Sequence, residues 1–385
     1  MKKKIAIFGS TGSVGKSLIE IIKKDKKKFE IVLLTANKNY ADLIKQATFF
    51  KVKNIIITNK KSYELLRKKN LKLKIFDNFD NLDKIFNTKV DYIMSAISGI
   101  EGLYPTFQSI KHTKKIAIAN KESIICAWNI LKKELSKNKT KFVPVDSEHF
   151  SIWSVLSKEL SITHIDRIFI TASGGPFYKL PITKFKKIEI KHAIKHPNWK
   201  MGKKISVDSS TMMNKVFEII EAKSIFNLPI SKLKILIHPK SYLHAIIKYK
   251  NGLSNMIVHD TDMKIPIFNT LYENKEYISL KKIDLLKLNK LNLEEPNIKK
   301  FPLIKILNRL PKNFSLYNTI LVSTNDTLVE LFLKNKIKFI SIPKIFKSVI
   351  HNKIFKKYRY KVPKKIDQII KLNKLVQLKI NSIYK

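Results

Sequence analysis

The sequence predicts an α/β protein whose N-terminal half is built on a parallel sheet. Short apolar runs alternate with amphipathic helical segments over about the first 145 residues, and a glycine-rich turn joins the first run to the first helix. Beyond about residue 147, strands and helices mix differently, which favours an α+β region followed by a helical region. Hydrophobic content of 44% suits a globular core. No apolar run approaches the ~20 residues of a membrane span, so we predict no membrane partner.

The strands of the first half are short, buried runs. In chain order they are KIAIF (4–8), FEIVLL (29–34), NIIIT (54–58), VDYIMSAIS (90–98), KIAIA (115–119) and KFVPV (141–145). Helical patterns lie between them, for example ADLIKQATFF at 41–50. Because the strands alternate with helices at this spacing, the sheet is predicted to be parallel with helices on both faces.

The region after residue 147 predicts fewer strands. HIDRIFITA (164–172) and KILIH (234–238) are candidate strands, and residues 241–258 predict an antiparallel hairpin that turns at Asn251-Gly252. These strands and the helices around them indicate a central α+β domain.

The C-terminal third predicts packed helices. Leu328, Leu331 and Phe332 recur at i, i+3 and i+4, and apolar positions continue through 366–372. The stretch before it is rich in Lys, Asn and Leu, which is typical of a linker. The predicted parts are a first domain at 1–146, a central domain at 147–270, a linker at 271–300 and a helical domain at 301–385.

The charge balance is extreme, at +46 for 385 residues. One hypothesis is polyanion binding. The excess is nearly all Lys, however, and the Lys are scattered through helices and loops without interleaved aromatics, so we predict no specific nucleic-acid partner. Cys126, the single cysteine, excludes an internal disulfide and predicts a reducing, cytoplasmic location.

Three glycines, Gly9, Gly12 and Gly15, separate the first strand from the first helix. Glycine there permits a tight turn and close approach of the backbone to a pyrophosphate, which predicts a Rossmann-like dinucleotide site. The second strand ends in TANKN (35–39), without the acid that binds the ribose of NAD, and Lys38 favours the 2′-phosphate of NADP(H). A tight turn without a ligand is the alternative.

A P-loop is a rival interpretation of these residues. Gly15-Lys16-Ser17 matches the end of GxxxxGK[ST], but the first glycine would have to stand at position 10, which is Ser10. Gly9 is one residue too early, so the backbone N–H groups of the loop would not be in the positions that bind the phosphates in a P-loop. An NTPase is therefore the weaker hypothesis.

Carboxylates follow the strand at 141–145. In an extended segment Asp146 and Glu148 would point to the same side, at the carboxyl end of a strand, where α/β sites form. With Glu218 they would make a set of oxygen ligands suited to Mg²⁺ or Mn²⁺. Taken alone, the pair is more typical of a solvated surface than of a metal site. His149 taken alone is equally typical of an ordinary polar residue.

The stretch 196–221 combines hydroxyls, lysines and carboxylates. Residues 208–211 (DSST) are N-cap types followed by an apolar repeat, which predicts a helix that begins there. Asn214 and Glu218 share a face of that helix at i, i+4. Free N–H groups beside Lys215 predict a phosphate site at one end, and Glu218 predicts a cation site at the other.

Two neighbouring segments complete the candidate site. Ser173-Gly174-Gly175-Pro176, after strand 164–172, predicts an anion-binding nest or, alternatively, a plain turn. His196, Trp199 and Met201 lie in an irregular stretch that predicts a lid over a substrate, with a core Trp as the alternative.

Taken together, these segments resemble the 1-deoxy-D-xylulose 5-phosphate reductoisomerase family of the non-mevalonate isoprenoid pathway. The matching pieces follow the family's order across 1–270; they are GSTGSVG (9–15), ANKES (119–123), PVDSEH (144–149), SGGPF (173–177), HPNWKMGKKISVDSSTMMNK (196–215), FEIIEA (217–222), IHPKS (237–241) and DMKIPI (262–267). The C-terminal third matches in length and helical character.

The resemblance implies NADPH-dependent isomerisation and reduction of 1-deoxy-D-xylulose 5-phosphate to 2-C-methyl-D-erythritol 4-phosphate. It also implies a divalent metal, Mn²⁺ or Mg²⁺ with Co²⁺ as a further option, and a homodimer. The central domain would be the catalytic one. In the family the metal acts as a Lewis acid during a retro-aldol/aldol rearrangement, and NADPH then reduces the aldehyde.

The resemblance assigns a role to each candidate residue. The implied metal ligands are Asp146, Glu148 and Glu218. The implied catalytic residues are Lys121, Glu148 and His196. The implied substrate-binding residues are Ser147, Glu148, Lys121, Ser173, His196, Trp199, Ser209, Asn214, Lys215 and Glu218, with Trp199 and Met201 in a flap. The implied cofactor-binding residues are Thr11, Gly12, Ser13, Val14, Asn37, Lys38, Asn39, Asn120, Glu122 and Gly202.

Overall fold

A computed structural model describes residues 1–69, 72–156, 162–199, 201–272, 276–278 and 282–384. The chain forms two compact units. Unit 1 comprises Met1–Ser123, Leu131–Asp146 and Met263–Ser279, and unit 2 comprises Ile124–Ile130, Ser147–Asp262 and Leu280–Lys385. The predicted linker falls partly outside the described residues, at 273–275 and 279–281, and the predicted domain bounds stay a prediction.

Unit 1 is organised on a parallel sheet. Its strands are β1 (Lys3–Phe8), β2 (Phe29–Ala36), β3 (Asn54–Ile57), β4 (Lys74–Phe76), β5 (Tyr92–Ser95), β6 (Lys115–Ile118) and β7 (Lys141–Pro144). Within the described residues these seven strands lie in the order β4-β3-β2-β1-β5-β6-β7, each parallel to its neighbours. The predicted parallel sheet is confirmed. Strand β4 was not predicted, because its run is three residues long and only partly buried.

The second sheet belongs to unit 2. Its strands are β8 (Ile165–Ala172), β9 (Leu233–Ile237), β10 (Leu243–Tyr249) and β11 (Ser254–Val258), in the order β11-β10-β8-β9. Strands β8 and β9 are parallel, whereas β10 is antiparallel to both neighbours. The predicted hairpin is confirmed, and Gly252 takes a φ of +91° at its turn.

The helices lie between the strands and after them in chain order. In chain order they are α1 (Ser13–Lys24), α2 (Tyr40–Phe50), α3 (Lys60–Arg67), α4 (Leu82–Ile85), α5 (Leu103–Ser109), α6 (Lys121–Lys137), α7 (Ser147–Leu156), α8 (Ile190–Ala193), α9 (Lys203–Ser210), α10 (Met213–Phe226), α11 (Lys264–Tyr272), α12 (Leu285–Leu288), α13 (Tyr317–Leu333), α14 (Ile342–Ile350) and α15 (Ile366–Asn381). In the described parts of the chain, no helix combines the length and apolar character needed to cross a bilayer.

The core of unit 1 lies between its sheet and its helices. Helix α1 buries Leu18, Ile19 and Ile22 on one side, as its i, i+3, i+4 spacing predicts. Burying each such side chain stabilises the fold by about 1.5–3 kcal/mol. Helix α11 joins the same core, where the Tyr92 hydroxyl lies 2.9 Å from the Thr270 hydroxyl.

The strand order of unit 1 reverses beside β1. The chain moves outward from β1 to β4 and then returns to β5, on the other side of β1. Ligands of doubly wound sheets bind at such a switch point, outside the carboxyl ends of the strands. Gly9 ends β1 with a φ of +81°, and a Cβ there would lie 2.7 Å from the Ala96 carbonyl oxygen, just after β5. The glycine turn therefore stands at the switch point.

The helical end of unit 2 packs around α13. Residues Ile320, Leu321, Leu328 and Val329 of α13 are buried, and α14 and α15 pack against this helix. The predicted C-terminal helices are confirmed. Helix α10 lies on β8 and β9, with Phe217 and Ile220 buried.

Candidate active site

The turn after β1 in unit 1 exposes a helix N-terminus. Gly12 and Ser13, at the start of α1, are exposed, while Thr11 and Val14 are half-buried. Backbone N–H groups of the first helical turn lack helical acceptors and attract anions. The Lys16 ammonium instead lies 2.7 Å from the Asp42 carboxylate, which gives the P-loop hypothesis no support.

The loop after β2 lies beside this turn. The two are joined by a backbone hydrogen bond in which the Ser10 amide donates to the Thr35 carbonyl oxygen at 2.9 Å. Asn37, Lys38 and Asn39 are exposed there. The Asn39 side chain caps α2 by accepting from the Asp42 amide at 3.2 Å. These hydrogen bonds hold the loop in place and leave Lys38 exposed to solvent, where its ammonium could bind a 2′-phosphate.

The loops after β5 and β6 are joined by Asn120. This buried side chain donates to the carbonyl oxygens of Ile97 (2.6 Å) and Gly99 (2.8 Å), and it accepts from the Ser123 amide at 2.8 Å as the N-cap of α6. Glu122, also buried, accepts from the Asn120 amide at 3.2 Å. Both residues shape the wall of the switch point.

Lys121 and Asp146 form an ion pair within unit 1. Lys121 begins α6 after β6, and Asp146 follows β7, the neighbouring parallel strand. Carboxyl ends of neighbouring parallel strands meet at one edge of a sheet, which explains how residues 25 positions apart come together.

The prediction that 146–148 is extended is wrong. Residues 147–156 form helix α7, so Glu148 lies in a first helical turn. A carboxylate is favoured there by the positive end of the helix dipole. The Ser147 hydroxyl donates to the Glu148 carboxylate.

Glu148 and Glu218 face a common cation in unit 2. The Lys215 ammonium lies 2.8 Å from Glu148 Oε1 and also contacts Glu218 Oε2. A ligand oxygen of Glu148 and one of Glu218 lie within 4.8 Å of each other. Asn214 donates to Glu218 Oε1 from the preceding turn of α10. Since Lys215 and Glu218 are buried, their charges are tolerable only because they are paired.

The electrostatics of this cluster keep Glu148 and Lys215 charged. Burial alone would raise the pKa of Glu148, but the Lys215 ammonium outweighs it and holds that pKa well below its usual range. Burial likewise would lower the pKa of Lys215, but the carboxylates of Glu148 and Glu218 outweigh it and raise that pKa. Two carboxylates and one ammonium leave a net negative charge that a further cation would stabilise.

His149 faces the protein interior. Its Nε2 lies 2.9 Å from the Glu218 carbonyl oxygen, and its Nδ1 lies 3.4 Å from Glu221 Oε2. The Nε2–H donates to that carbonyl, since a carbonyl oxygen can only accept. His149 therefore ties α7 to α10, the two helices that carry Glu148 and Glu218.

Ser173 and His196 meet at the other end of the site. His196 Nδ1 accepts from the amides of Asn198 (3.1 Å) and Trp199 (3.0 Å), so the ring proton is on Nε2, which donates to Ser173 Oγ at 3.0 Å. Burial, assisted by the Lys215 charge, lowers the pKa of His196 to about 4. The Gly175 amide also donates to Ser173 Oγ, at 3.0 Å. Ser173 thus accepts twice and can direct its own hydrogen toward a ligand.

The prediction that a helix begins at 208–211 is wrong. Residues 208–210 form the last turn of α9. Met212, with a φ of +63°, interrupts the helical backbone, and α10 begins at Met213. The Ser210 hydroxyl donates to the Ser206 carbonyl oxygen at 2.8 Å, and this i−4 bond suits a helix interior. Only Thr211 resembles a cap, because its hydroxyl accepts from the Met213 amide at 3.3 Å.

The glycine nest is packed against the end of α9. A Cβ at Gly175 would lie 2.7 Å from the Ser209 carbonyl oxygen, and its φ is +68°. Ser209 is half-buried there. Ser173 and Ser209 therefore belong to one structural junction, as the phosphate-site prediction requires.

The predicted flap is anchored at its base. Asn198 donates to the Pro239 carbonyl oxygen (2.6 Å) and to Ser241 Oγ (2.8 Å). Trp199 is half-buried, with its ring 6.2 Å from His244 in an edge contact. Met201 is half-buried and Gly202 is exposed as the N-cap of α9, while residue 200 lies outside the described residues.

Sequence reasoning missed a stacked histidine pair beneath Trp199. The rings of His244 and His259 are 3.6 Å apart and nearly parallel, and Ser151 Oγ lies 3.3 Å from His259 Nε2. Burial, assisted by His259, lowers the pKa of His244 to about 3. No local pattern could have indicated the pair, since strand pairing across a hairpin brings the two residues together.

The fold and the candidate site define a class of protein. A doubly wound parallel sheet with a glycine turn at its switch point is typical of dinucleotide-binding proteins. A second unit that carries buried carboxylates, a lysine and an anion-binding nest is typical of an enzyme for a charged small molecule.

Comparison with known proteins gives the family. Three family models match the chain. The model of 1-deoxy-D-xylulose 5-phosphate reductoisomerase matches residues 5–128, and the model of the 1-deoxy-D-xylulose 5-phosphate reductoisomerase C-terminal domain matches residues 142–226. A third model, the DXP reductoisomerase C-terminal domain, matches residues 259–378. The 1-deoxy-D-xylulose 5-phosphate reductoisomerase of Pelagibacter ubique (strain HTCC1062) is 58% identical over 386 residues, 99% of each chain. That of Sulfurihydrogenibium sp. (strain YO3AOP1) is 38% identical over 89% of each chain. The chain belongs to the 1-deoxy-D-xylulose 5-phosphate reductoisomerase family.

Solved structures of the family share the fold. A DOX-P reductoisomerase in complex with NADPH, fosmidomycin and magnesium is 30% identical, with a TM-score of 0.91 over 99% of this chain and 98% of that one. The Zymomonas mobilis reductoisomerase in complex with NADPH is 28% identical, with a TM-score of 0.88 over the whole of both chains. The predicted three-part α/β fold class is thereby confirmed.

Proposed function

We propose that this chain converts 1-deoxy-D-xylulose 5-phosphate to 2-C-methyl-D-erythritol 4-phosphate with NADPH and a divalent metal. The observation that carries the proposal is the buried cluster in which the Lys215 ammonium lies between Glu148 and Glu218. It combines a cation site with a phosphate-binding lysine. A solved DOX-P reductoisomerase holds magnesium together with NADPH and fosmidomycin, which supports a cation site here.

The donor set fits a divalent metal. An ammonium already stands where the oxygens of Glu148 and Glu218 converge, so the protein stabilises positive charge at that point. We propose that these two residues, with Asp146 just ahead of α7, hold Mg²⁺ or Mn²⁺, as oxygen donors favour. A bound metal supplies Lewis-acid polarisation of the keto and hydroxyl oxygens of the substrate.

The proposed phosphate site lies at the junction of the nest, α9 and α10. Its proposed ligands are Ser173, Ser209, Asn214 and Lys215. The neutral His196 ring orients Ser173 so that the hydroxyl can donate to a phosphate oxygen. A phosphate held this way supplies binding energy that orients the reacting end of the substrate.

The remaining proposed contacts act on the carbon backbone of the substrate. Lys121, Ser147 and His196 would donate hydrogen bonds to its oxygens, and Lys121 would stabilise developing oxyanion charge. Trp199 and Met201 would exclude water as a flap, anchored through Asn198.

The switch point of unit 1 fits NADPH. Gly12 and Ser13 are exposed at the start of α1, where free N–H groups can bind a pyrophosphate, and Lys38 is exposed beside the turn. We propose that the cofactor is bound by Thr11, Gly12, Ser13, Val14, Asn37, Lys38, Asn39, Asn120, Glu122 and Gly202. NADPH supplies the hydride.

We also propose a cytoplasmic homodimer. Strand β11 is an edge strand that exposes Met256, and Leu253 just before it is also exposed; a second copy could cover both. The lone thiol, Cys126, suits a reducing compartment. Light scattering at micromolar concentration is expected to give about twice 44.8 kDa. A mass that stays at one chain would contradict the dimer.

A coupled assay tests the activity directly. NADPH oxidation is followed at 340 nm with 1-deoxy-D-xylulose 5-phosphate, with Mn²⁺ or Mg²⁺ and after EDTA treatment. We expect substrate-dependent oxidation that EDTA abolishes and added metal restores. Oxidation that ignores the substrate or persists in EDTA would contradict the proposal.

A further inference from the structure

Asp208 is a buried carboxylate that the proposed mechanism does not use. It lies in the last turn of α9, with its side chain 2% exposed. Its Oδ1 accepts from Asn325 Nδ2 at 2.7 Å, and its Oδ2 lies 2.9 Å from the Lys204 ammonium. Lys204 is also 3.0 Å from Asp326 Oδ1. This network fastens the end of α9 to α13.

The turn that Asp208 anchors leads directly to the anion end of the site. Ser209 follows it, and a Cβ at Gly175 would lie 2.7 Å from the Ser209 carbonyl oxygen. Ser210 Oγ also lies 2.8 Å from the Ala193 carbonyl oxygen, just before the His196 segment. A shift of this turn would therefore move Ser209 relative to Ser173 and its loop.

The contacts of Asp208 cannot be replaced by an isosteric amide. Asn325 is fully buried, and its amide needs an acceptor. An Asn at 208 would offer one oxygen and one NH₂ and no charge for the Lys204 ammonium. Its NH₂ would face either that ammonium or the Asn325 side chain, whose amide would then have to turn over inside the core, so the turn would shift.

We propose that Asp208 is a positioning residue for the phosphate end of the substrate site. It acts through α9 and Ser209 and does not touch the substrate. The inference rests on the proposed function, because it takes Ser209 as a phosphate ligand.

Three variants test it: Asp208→Asn, Asn325→Asp and the two together. We expect Asp208→Asn to raise the KM for substrate and the Kd for inorganic phosphate about tenfold, while kcat changes less than about threefold, the pattern of lost uniform binding. NADPH affinity should not change. The double variant returns one carboxylate and one amide to the junction and should restore both constants to within about threefold of wild type, since contacting residues couple.

A matched control separates positioning from loss of stability. Asn318→Asp alters another buried amide of α13, which donates to the Ile125 carbonyl oxygen at 3.0 Å. It should lower Tm without changing phosphate affinity. If Asp208→Asn does not fold, Asn325→Ala, which leaves Asp208 with Lys204, should still weaken phosphate binding about threefold.

Several outcomes would overturn the inference. They are unchanged phosphate affinity in folded Asp208→Asn, an equal loss of affinity in Asn318→Asp, and no phosphate binding by the wild-type chain. A wild-type chain that binds phosphate but turns over no substrate would overturn the proposed function instead. The positioning role of Asp208 would then still be tested by the phosphate affinity of the variants.

Discussion

The two candidate binding regions of this protein are built in different ways. The switch point in unit 1 is made of backbone: a glycine at positive φ, exposed helix amides and a buried Asn that joins two loops. The cluster in unit 2 is made of buried charges, with Lys215 between Glu148 and Glu218. The first should therefore be sensitive to added volume, and the second to a change of charge.

The largest effect is expected from Lys215→Met. This change leaves Glu148 and Glu218 facing each other without a cation, and breaking a buried pair costs about 3–5 kcal/mol. At neutral pH the free energy of unfolding should fall by that order and turnover should be lost. Urea denaturation and the coupled assay measure both. Lys334→Met, which removes an exposed partner of Glu330, should cost less than about 1 kcal/mol.

The same variant has a predicted pH dependence. Lys215 holds the folded-state pKa of Glu148 below its unfolded value, although burial opposes it. That stabilisation is present above the unfolded pKa, about 4.3, and is lost as the pH falls toward the folded value. The difference in unfolding free energy between wild type and Lys215→Met should therefore shrink as the pH falls below about 4.3. A constant difference would contradict this electrostatic account.

Glu218→Gln should reduce kcat by about 10²–10³, the scale for losing a group that stabilises charge in the transition state. NADPH affinity, measured by fluorescence, should not change because the glycine turn is untouched. Glu330→Gln, at an exposed glutamate of unit 2, is the matched control and should leave kcat unchanged. Full activity in Glu218→Gln would remove it from the proposed metal ligands.

Gly9→Ala tests the backbone-built region. The positive φ costs about 1–2 kcal/mol and the overpacking against Ala96 about 1–3 kcal/mol, so unfolding free energy should fall by about 2–5 kcal/mol. NADPH affinity should fall with it. Gly252→Ala shares the positive φ but meets open space, so it should show only the smaller cost. If Gly9→Ala and Gly252→Ala lost equal unfolding free energy, the close approach of Gly9 to Ala96 would not matter, and the argument would be contradicted.

The smallest effect is expected from Lys38→Ala. Removing one exposed cation beside a 2′-phosphate should weaken NADPH about tenfold and leave NADH unchanged, since a charge-assisted hydrogen bond contributes about 1.5–3 kcal/mol. Titration with both cofactors measures the ratio. Lys51→Ala, another exposed lysine of unit 1, should alter neither affinity. Equal losses for NADPH and NADH would argue against a 2′-phosphate contact at Lys38.

Local patterns predicted the regular parts of the chain well and their junctions poorly. Strands such as β1 and β5 are continuous apolar runs, so their burial is visible in the sequence. Residues 208–211 resemble a helix start because Ser and Asp are frequent N-caps, yet here the Ser210 hydroxyl bonds back into its own helix and Asp208 bonds to α13. Residues 146–148 resemble the end of a strand because an acidic strand end and an acidic helix start have the same composition.

The sequence alone predicted the parallel sheet and the glycine turn, since periodicity and turn chemistry are properties of neighbouring residues. Its motifs indicated the family by resemblance, and the candidate residues follow from that resemblance. The three-dimensional packing set how those residues are arranged. It placed Lys215 between two carboxylates 67 and 3 positions away, stacked His244 on His259 across a hairpin, and tied α9 to Asn325. These contacts arise from long-range packing in a low-dielectric interior, where a buried charge is stable only beside a partner that local sequence does not specify.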